Sequence, residues 1–109
     1  MTITYKILGQ VSPGSAINTA LYTVPGSTST VISSIIACNR APSGGTFRIA
    51  VGTSASEVNN SEYIAYNTSL ADNDTVILTS GITIGTGKVI SVYSAGSSIS
   101  FSVFGAEIT

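Results

Sequence analysis

Three short stretches carry residue types with chemical potential. Asp72-Asn73-Asp74 offers three oxygen-bearing side chains, the hard donors that Ca²⁺ prefers. A calcium site takes about six to eight oxygens, and no glutamate or further aspartate lies nearby in sequence, so the stretch reads as an Asx-rich turn. Gly85-Thr86-Gly87-Lys88 invites comparison with a phosphate-binding loop but fails on spacing. Gly81 lies one residue too far from Gly87, and Val89 stands where Ser or Thr is needed to hold the magnesium ion. The residues after Lys88 have strand period, without a helix N-terminus to cradle phosphate. Glu57 lies within the polar loop Ser54–Ser61 and Glu62 directly after it, with nothing to pair them as acid and base.

Serine is plentiful, but a serine nucleophile without a base is inert. There is no histidine, Lys6 and Lys88 are the only conceivable lysine bases, and no S-x-x-K motif occurs. Cys38 is alone and sits in the apolar run Val31–Asn39, where a small buried hydrophobe is expected rather than a reactive thiol. The residues therefore predict no enzyme, no cofactor and no metal. Asn59-Asn60-Ser61, Asn67-Thr68-Ser69 and Asn73-Asp74-Thr75 match the glycosylation pattern as products of an Asn/Ser/Thr-rich composition.

Sugar recognition is the sharpest binding chemistry the residues offer. Tyr5, Tyr22, Tyr63, Tyr66 and Tyr93 present flat faces for pyranose rings beside Ser, Thr and Asn hydrogen-bonders. Tryptophan is missing, and Tyr63 and Tyr66, three apart, point to opposite faces of a regular strand. Most of the tyrosines are expected to cover the core with their hydroxyls outward.

The composition sets the frame for these residues. Charged side chains make up 8% of the 109 residues, against roughly 25% in an average soluble domain. Ser and Thr together supply roughly 30%, so the polar surface must be built from hydroxyls and amides. With a net charge of −1, and with Lys6, Arg40, Arg48 and Lys88 scattered, no attraction to nucleic acid or anionic membranes is expected. Such a surface also provides little colloidal repulsion and is suited to being covered by copies of itself or by a partner. The N-terminus has no basic segment followed by an apolar run, so the chain is expected to begin as mature cytosolic protein. The longest apolar stretches are broken by Ser within five residues, so no membrane span is expected.

The elements that position these residues keep a period of two almost throughout. Ile3, Tyr5, Ile7, Gly9 and Val11 form one clearly apolar face of a first strand. Asn18–Val24 is a second strand, leading into a type II turn at Pro25-Gly26. Thr28–Arg40 is the longest β-branched run, apolar on both faces near Ile35, Ile36 and Ala37, and is placed centrally. Phe47, Ile49 and Val51 share a face of Thr46–Val51; Glu62–Asn67, Thr75–Thr79 and Lys88–Ser94 are further strands. The Gly81, Gly85 and Gly87 segment separates the last two. In the closing strand, Ile99–Ile108, apolar residues change parity at Val103-Phe104, which predicts a bulge or burial of both faces near the C-terminus. No segment has helical period. About eight short strands at this spacing predict one all-β domain over residues 1–109, a two-sheet antiparallel sandwich, most simply a jelly roll, with a small barrel as the alternative.

A run of segments also resembles a known group. Leu21-Tyr22-Thr23-Val24-Pro25, Ile36-Ala37-Cys38-Asn39-Arg40, Phe47-Arg48-Ile49-Ala50-Val51, Tyr63-Ile64-Ala65-Tyr66, Gly81-Ile82-Thr83-Ile84 and Ile99–Gly105 occur in that order. Together they resemble small virion structural proteins of tailed bacteriophages, especially those of cyanobacteria and other aquatic bacteria, from about Tyr5 to Ile108. Val89–Tyr93, a short turn and Ile99–Phe104 also look like the closing hairpin of trimeric jelly rolls of the tumour-necrosis-factor type. The resemblance implies a virion protein assembled in the host bacterial cytoplasm, without catalytic residues. Where on the virion it sits is read from the chain itself: low charge, Ser/Thr-rich sheet surfaces and a compact chain without repeats or a shaft point to a capsid decoration (cement) protein, a homo-oligomer, most simply a trimer, that binds the major capsid protein or another virion protein. A tail, baseplate or fibre component, or a carbohydrate-binding module on the particle, is the alternative. Tyr5, Ile7, Phe101 and Phe104 are the candidate contact residues, although a place in the core is favoured for each.

Overall fold

The computed structural model describes residues 1–79 and 81–109. Among the described residues nine strands form two antiparallel sheets: β1 (Ile3–Val11), β2 (Thr19–Thr23), β3 (Ser29–Asn39), β4 (Gly45–Gly52), β5 (Tyr63–Leu70), β6 (Thr75–Leu78), β7 (Ile82–Ile84), β8 (Val89–Ser94) and β9 (Ile99–Ile108). One sheet has the order β1-β9-β3-β6 with β7 also on β3; the other has the order β2-β8-β4-β5. β6 pairs with Ile35–Cys38 and β7 with Thr30–Ile32, so the two lie end to end along β3 in place of one longer strand. This is the two-sheet interleaving of a jelly roll. β7 falls in the Gly81, Gly85 and Gly87 segment, where no strand is expected; its three residues are too few to show a period against the flanking glycines.

The core lies between the sheets. Ile32, Ile35, Phe101 and Val103 from the first sheet meet Phe47, Ile49, Ile90 and Val92 from the second, all at 2% exposure or less. Phe47 and Phe101 pack edge to face, ring centroids 6.0 Å apart. Near one end of the sandwich the buried Asn39 ties the loops together. Its Nδ2 donates to the carbonyls of Ser43 (2.9 Å), Ala71 (3.1 Å) and Leu70 (3.4 Å). Its Oδ1 accepts from the Ala41 amide (3.1 Å) and the Ser98 hydroxyl (3.0 Å).

The parity change at Val103-Phe104 has a different origin from a bulge in the closing strand. β9 alternates without a break, while its two neighbours each insert one residue beside Phe104: Leu8 in β1 opposite Val103-Phe104, and Ser33 in β3 opposite Phe104-Gly105. Phe104, Ala106 and Ile108 thus share the outward face, and Ala106 is buried there at 7% exposure. The same bulge divides the apolar face read along β1. Gly9 and Val11 pair with the inward Val103 and Phe101, whereas Ile3, Tyr5 and Ile7 pair with the outward Ile108, Ala106 and Phe104. Two smaller expectations also shift. The left-handed residue of the turn after β2 is Ser27 (φ 55°) rather than Gly26. Cys38 is half-buried, on the same outward parity of β3 as Ile36, and not part of the core.

Candidate functional site

Each sheet carries one group of side chains that the core does not use. On the first sheet it is apolar. Ile3 (44% exposed), Tyr5 (81%) and Ile7 (56%) line the outward face of β1, beside half-buried Phe104 of β9 and Val31 of β3 (38%). A depression of about 320 Å³ lies among Tyr5, Val31, Ser33 and Phe104. β1 pairs only with β9 among the described strands, so its other edge leaves backbone donors and acceptors free. Of the four expected contact residues, the fold brings Tyr5, Ile7 and Phe104 together here. Phe101, three residues before Phe104 and 1% exposed, is taken by the core and is not available to a partner.

Beneath this patch a polar network joins the two sheets. Lys6 Nζ is 2.7 Å from Glu107 Oε1, and the Tyr22 hydroxyl donates to Glu107 Oε2 at 2.6 Å. That hydroxyl also lies 2.8 Å from the Thr30 hydroxyl, which is fully buried. The bond from Lys6, then that from Tyr22, holds the Glu107 carboxyl below its ordinary value. Burial, helped by the neighbouring Glu107, pushes the Tyr22 phenol up to about 12. These bonds tie β9 to β1 and to β2, and β2 to β3.

The second sheet carries an aromatic and cationic group. Arg48 of β4 and Tyr93 of β8 are direct cross-strand partners on its outward face. The Arg48 guanidinium carbon lies 4.4 Å from the Tyr66 ring centroid and 4.3 Å from that of Tyr93, a cation–π contact with each. Its Nε donates to Asn67 Oδ1 at 2.7 Å. Tyr63 packs edge to face on Tyr66 at 4.8 Å, contrary to the opposite faces expected from their spacing. The reason is local. Phe47 pairs with Thr68 and Ile49 with Ala65, so Tyr66 and Asn67 both stand opposite Arg48, and Ile64 is a second extra residue before Tyr63. Asn67 takes the left-handed conformation (φ 48°) that this bulge needs and that asparagine tolerates. Tyr22 alone among the five tyrosines is in the core.

The other sequence candidates stay apart. Asp72-Asn73-Asp74 is a turn with left-handed Asn73 (φ 51°) and the Asp74 carboxylate accepting from the Thr75 amide at 2.8 Å. Among the described residues no group of three or more His, Cys, Asp or Glu side chains is placed to hold a metal. Glu62 accepts from the Asn59 amide (2.9 Å) across a single 3₁₀ turn, Asn60–Glu62. The Gly85–Lys88 segment is a turn closed by the Lys88 amide on the Gly85 carbonyl at 3.2 Å.

No family model and no curated protein matches the chain. Among solved structures it is similar to those of infectious bursal disease virus, Gx strain (12% identity, TM-score 0.46) and Gt strain (12%, 0.45). The matches cover 97% of this chain but only 31% and 32% of the viral chains, so this chain spans under a third of their length.

Proposed function

We propose that this chain is a virion structural protein, a bacteriophage capsid decoration protein that binds the head shell as a homo-oligomer, most simply a trimer. The observation that carries the reading is the outward apolar face of Ile3, Tyr5, Ile7, Val31 and Phe104, beside the free edge of β1. A run of exposed apolar side chains along an unpaired edge is a liability in a lone monomer and an asset in an assembly. The 8% charge content supports the same reading, because nothing on this surface repels a second copy. Jelly rolls serve as shell-building domains in many viruses, and the order of segments from Tyr5 to Ile108 resembles phage virion proteins. A closed ring of copies places the patch of each on its neighbours and leaves the second sheet outward.

Quantitative mass spectrometry of purified particles tests the proposal. A fixed stoichiometry with the major capsid protein supports shell decoration. A small number of copies that does not scale with the shell moves the protein to the tail or fibres. Heads assembled without the protein are expected to be less tolerant of heat and of low ionic strength, and unchanged tolerance contradicts the role.

A further inference from the structure

The aromatic and cationic group on the second sheet is left unused by an assembly through the first. Arg48 is held by three contacts: the Tyr66 ring, the Tyr93 ring, and Asn67 on Nε. Among the described residues it has no carboxylate partner, and its two terminal nitrogens make no hydrogen bond. A guanidinium fixed in this way presents two parallel N–H donors, the fork that matches a carboxylate. Its rotamer entropy has already been spent in the fold, so a ligand need not order it again.

Beside this group lies an open depression of about 340 Å³ lined by Asn60, Tyr63 and Tyr66. That is near the low end of about 300–1,000 Å³ for small-molecule sites. Tyr66 is 56% exposed and Tyr63 half-buried, so flat apolar surface remains open to solvent there. Asn60 adds an amide that can both donate and accept. The bulge that assembles the group is accommodated by Asn67, a residue type that tolerates the left-handed backbone.

We propose that this face binds an acidic saccharide: a uronic-acid unit whose carboxylate docks on Arg48, whose pyranose ring lies against Tyr63 and Tyr66, and whose hydroxyls meet Asn60. The ring faces ask for a flat C–H surface and the fork asks for a planar anion; a uronic acid supplies both in one residue. Nucleic acid fits poorly, because the site has one cation and the chain a net charge of −1. The site lies on the sheet opposite the assembly patch and stands independently of the assembly reading.

Isothermal titration of the full chain with tri-galacturonate is the test, with its methyl ester as the neutral analogue and tri-glutamate as an acidic peptide. Hydrogen bonds to a charged group are worth about 1.5–3 kcal/mol, so esterification should weaken binding about 10- to 100-fold. Arg48→Gln and Tyr66→Ala should each weaken tri-galacturonate binding by a comparable factor, with thermal unfolding confirming that both variants fold. The ester comparison uses the unaltered protein and does not depend on the variants. Absence of tri-galacturonate binding, equal binding of the ester, or unchanged binding by folded Arg48→Gln overturns the proposal. Equal or tighter binding of tri-glutamate also overturns it and makes the face a site for an acidic peptide.

Discussion

Tyr22→Phe removes one oxygen from the network that joins the sheets and should be disproportionately costly. The phenol donates to the Glu107 carboxylate at 2.6 Å and lies 2.8 Å from the Thr30 hydroxyl, which has no exposure of its own. A hydrogen bond to a charged group contributes about 1.5–3 kcal/mol, and a buried hydroxyl left without its partner adds about 1 kcal/mol or more. Lys6 continues to hold Glu107 from the other oxygen at 2.7 Å, so the lower part of the range applies, about 2–3 kcal/mol near neutral pH. For a domain of this size that corresponds to a fall in Tm of about 10 °C. The pH dependence separates this cause from simple packing. Because the folded Glu107 carboxyl is depressed, its stabilisation is complete above the ordinary carboxyl value of 4.5 and is lost as pH falls through the depressed one. Urea denaturation from pH 7 down to about pH 2 should therefore show the Tyr22→Phe penalty shrinking in acid, as the phenol comes to bond a neutral carboxyl. At the other end, the Tyr22 phenol is raised, so its contribution is complete below its ordinary 10.0 and declines as pH rises toward about 12. The variant should lose that alkaline slope. A penalty under about 0.5 kcal/mol, or one equal at neutral and acid pH, refutes the reasoning.

Two further sites probe the core and the end of the sandwich. Phe101→Ala should cost about 3–5 kcal/mol in urea denaturation, because its ring is 1% exposed and meets Phe47. Phe104→Ala, three residues on and facing outward, should cost about 1 kcal/mol or less in the monomer and act on self-association instead. Asn39→Ala removes five hydrogen bonds at a residue that is 1% exposed, and should cost at least about 3 kcal/mol. Hydrogen exchange in that variant should rise first at Ala41, whose amide loses its acceptor.

Much of the sandwich is written in the period of its residues. Phe47, Ile49 and Val51 alternate cleanly with outward Arg48, and the long run of β3 sits centrally, paired with β9 on one edge and with β6 and β7 on the other, its Ile32, Ile35 and Ala37 in the core. Alternation cannot show where a ladder gains a residue. Leu8 and Ser33 are each unremarkable in sequence, yet by bulging on either side of Phe104 the first decides that Ile3, Tyr5 and Ile7 point outward and the second that Val31 does. The same limit hid the Tyr63, Tyr66 and Arg48 group, because a spacing of three reads as opposite faces until two bulges in β5 are known. The available signal was Asn67, a residue type that tolerates the left-handed backbone, directly after an aromatic. Cys38 shows the converse: an apolar run in a central strand does not tell which of its members faces the core.

The central claim is that the outward face of β1 and β9 is an assembly surface. Sedimentation equilibrium of the wild-type chain and of Ile7→Asp tests it most directly, since Ile7 is 56% exposed and the substitution spares the core. The account predicts a discrete oligomer for the wild type, most simply a trimer, and a folded monomer for the variant. A wild-type chain that stays monomeric at high concentration, or a variant as oligomeric as the wild type, contradicts it.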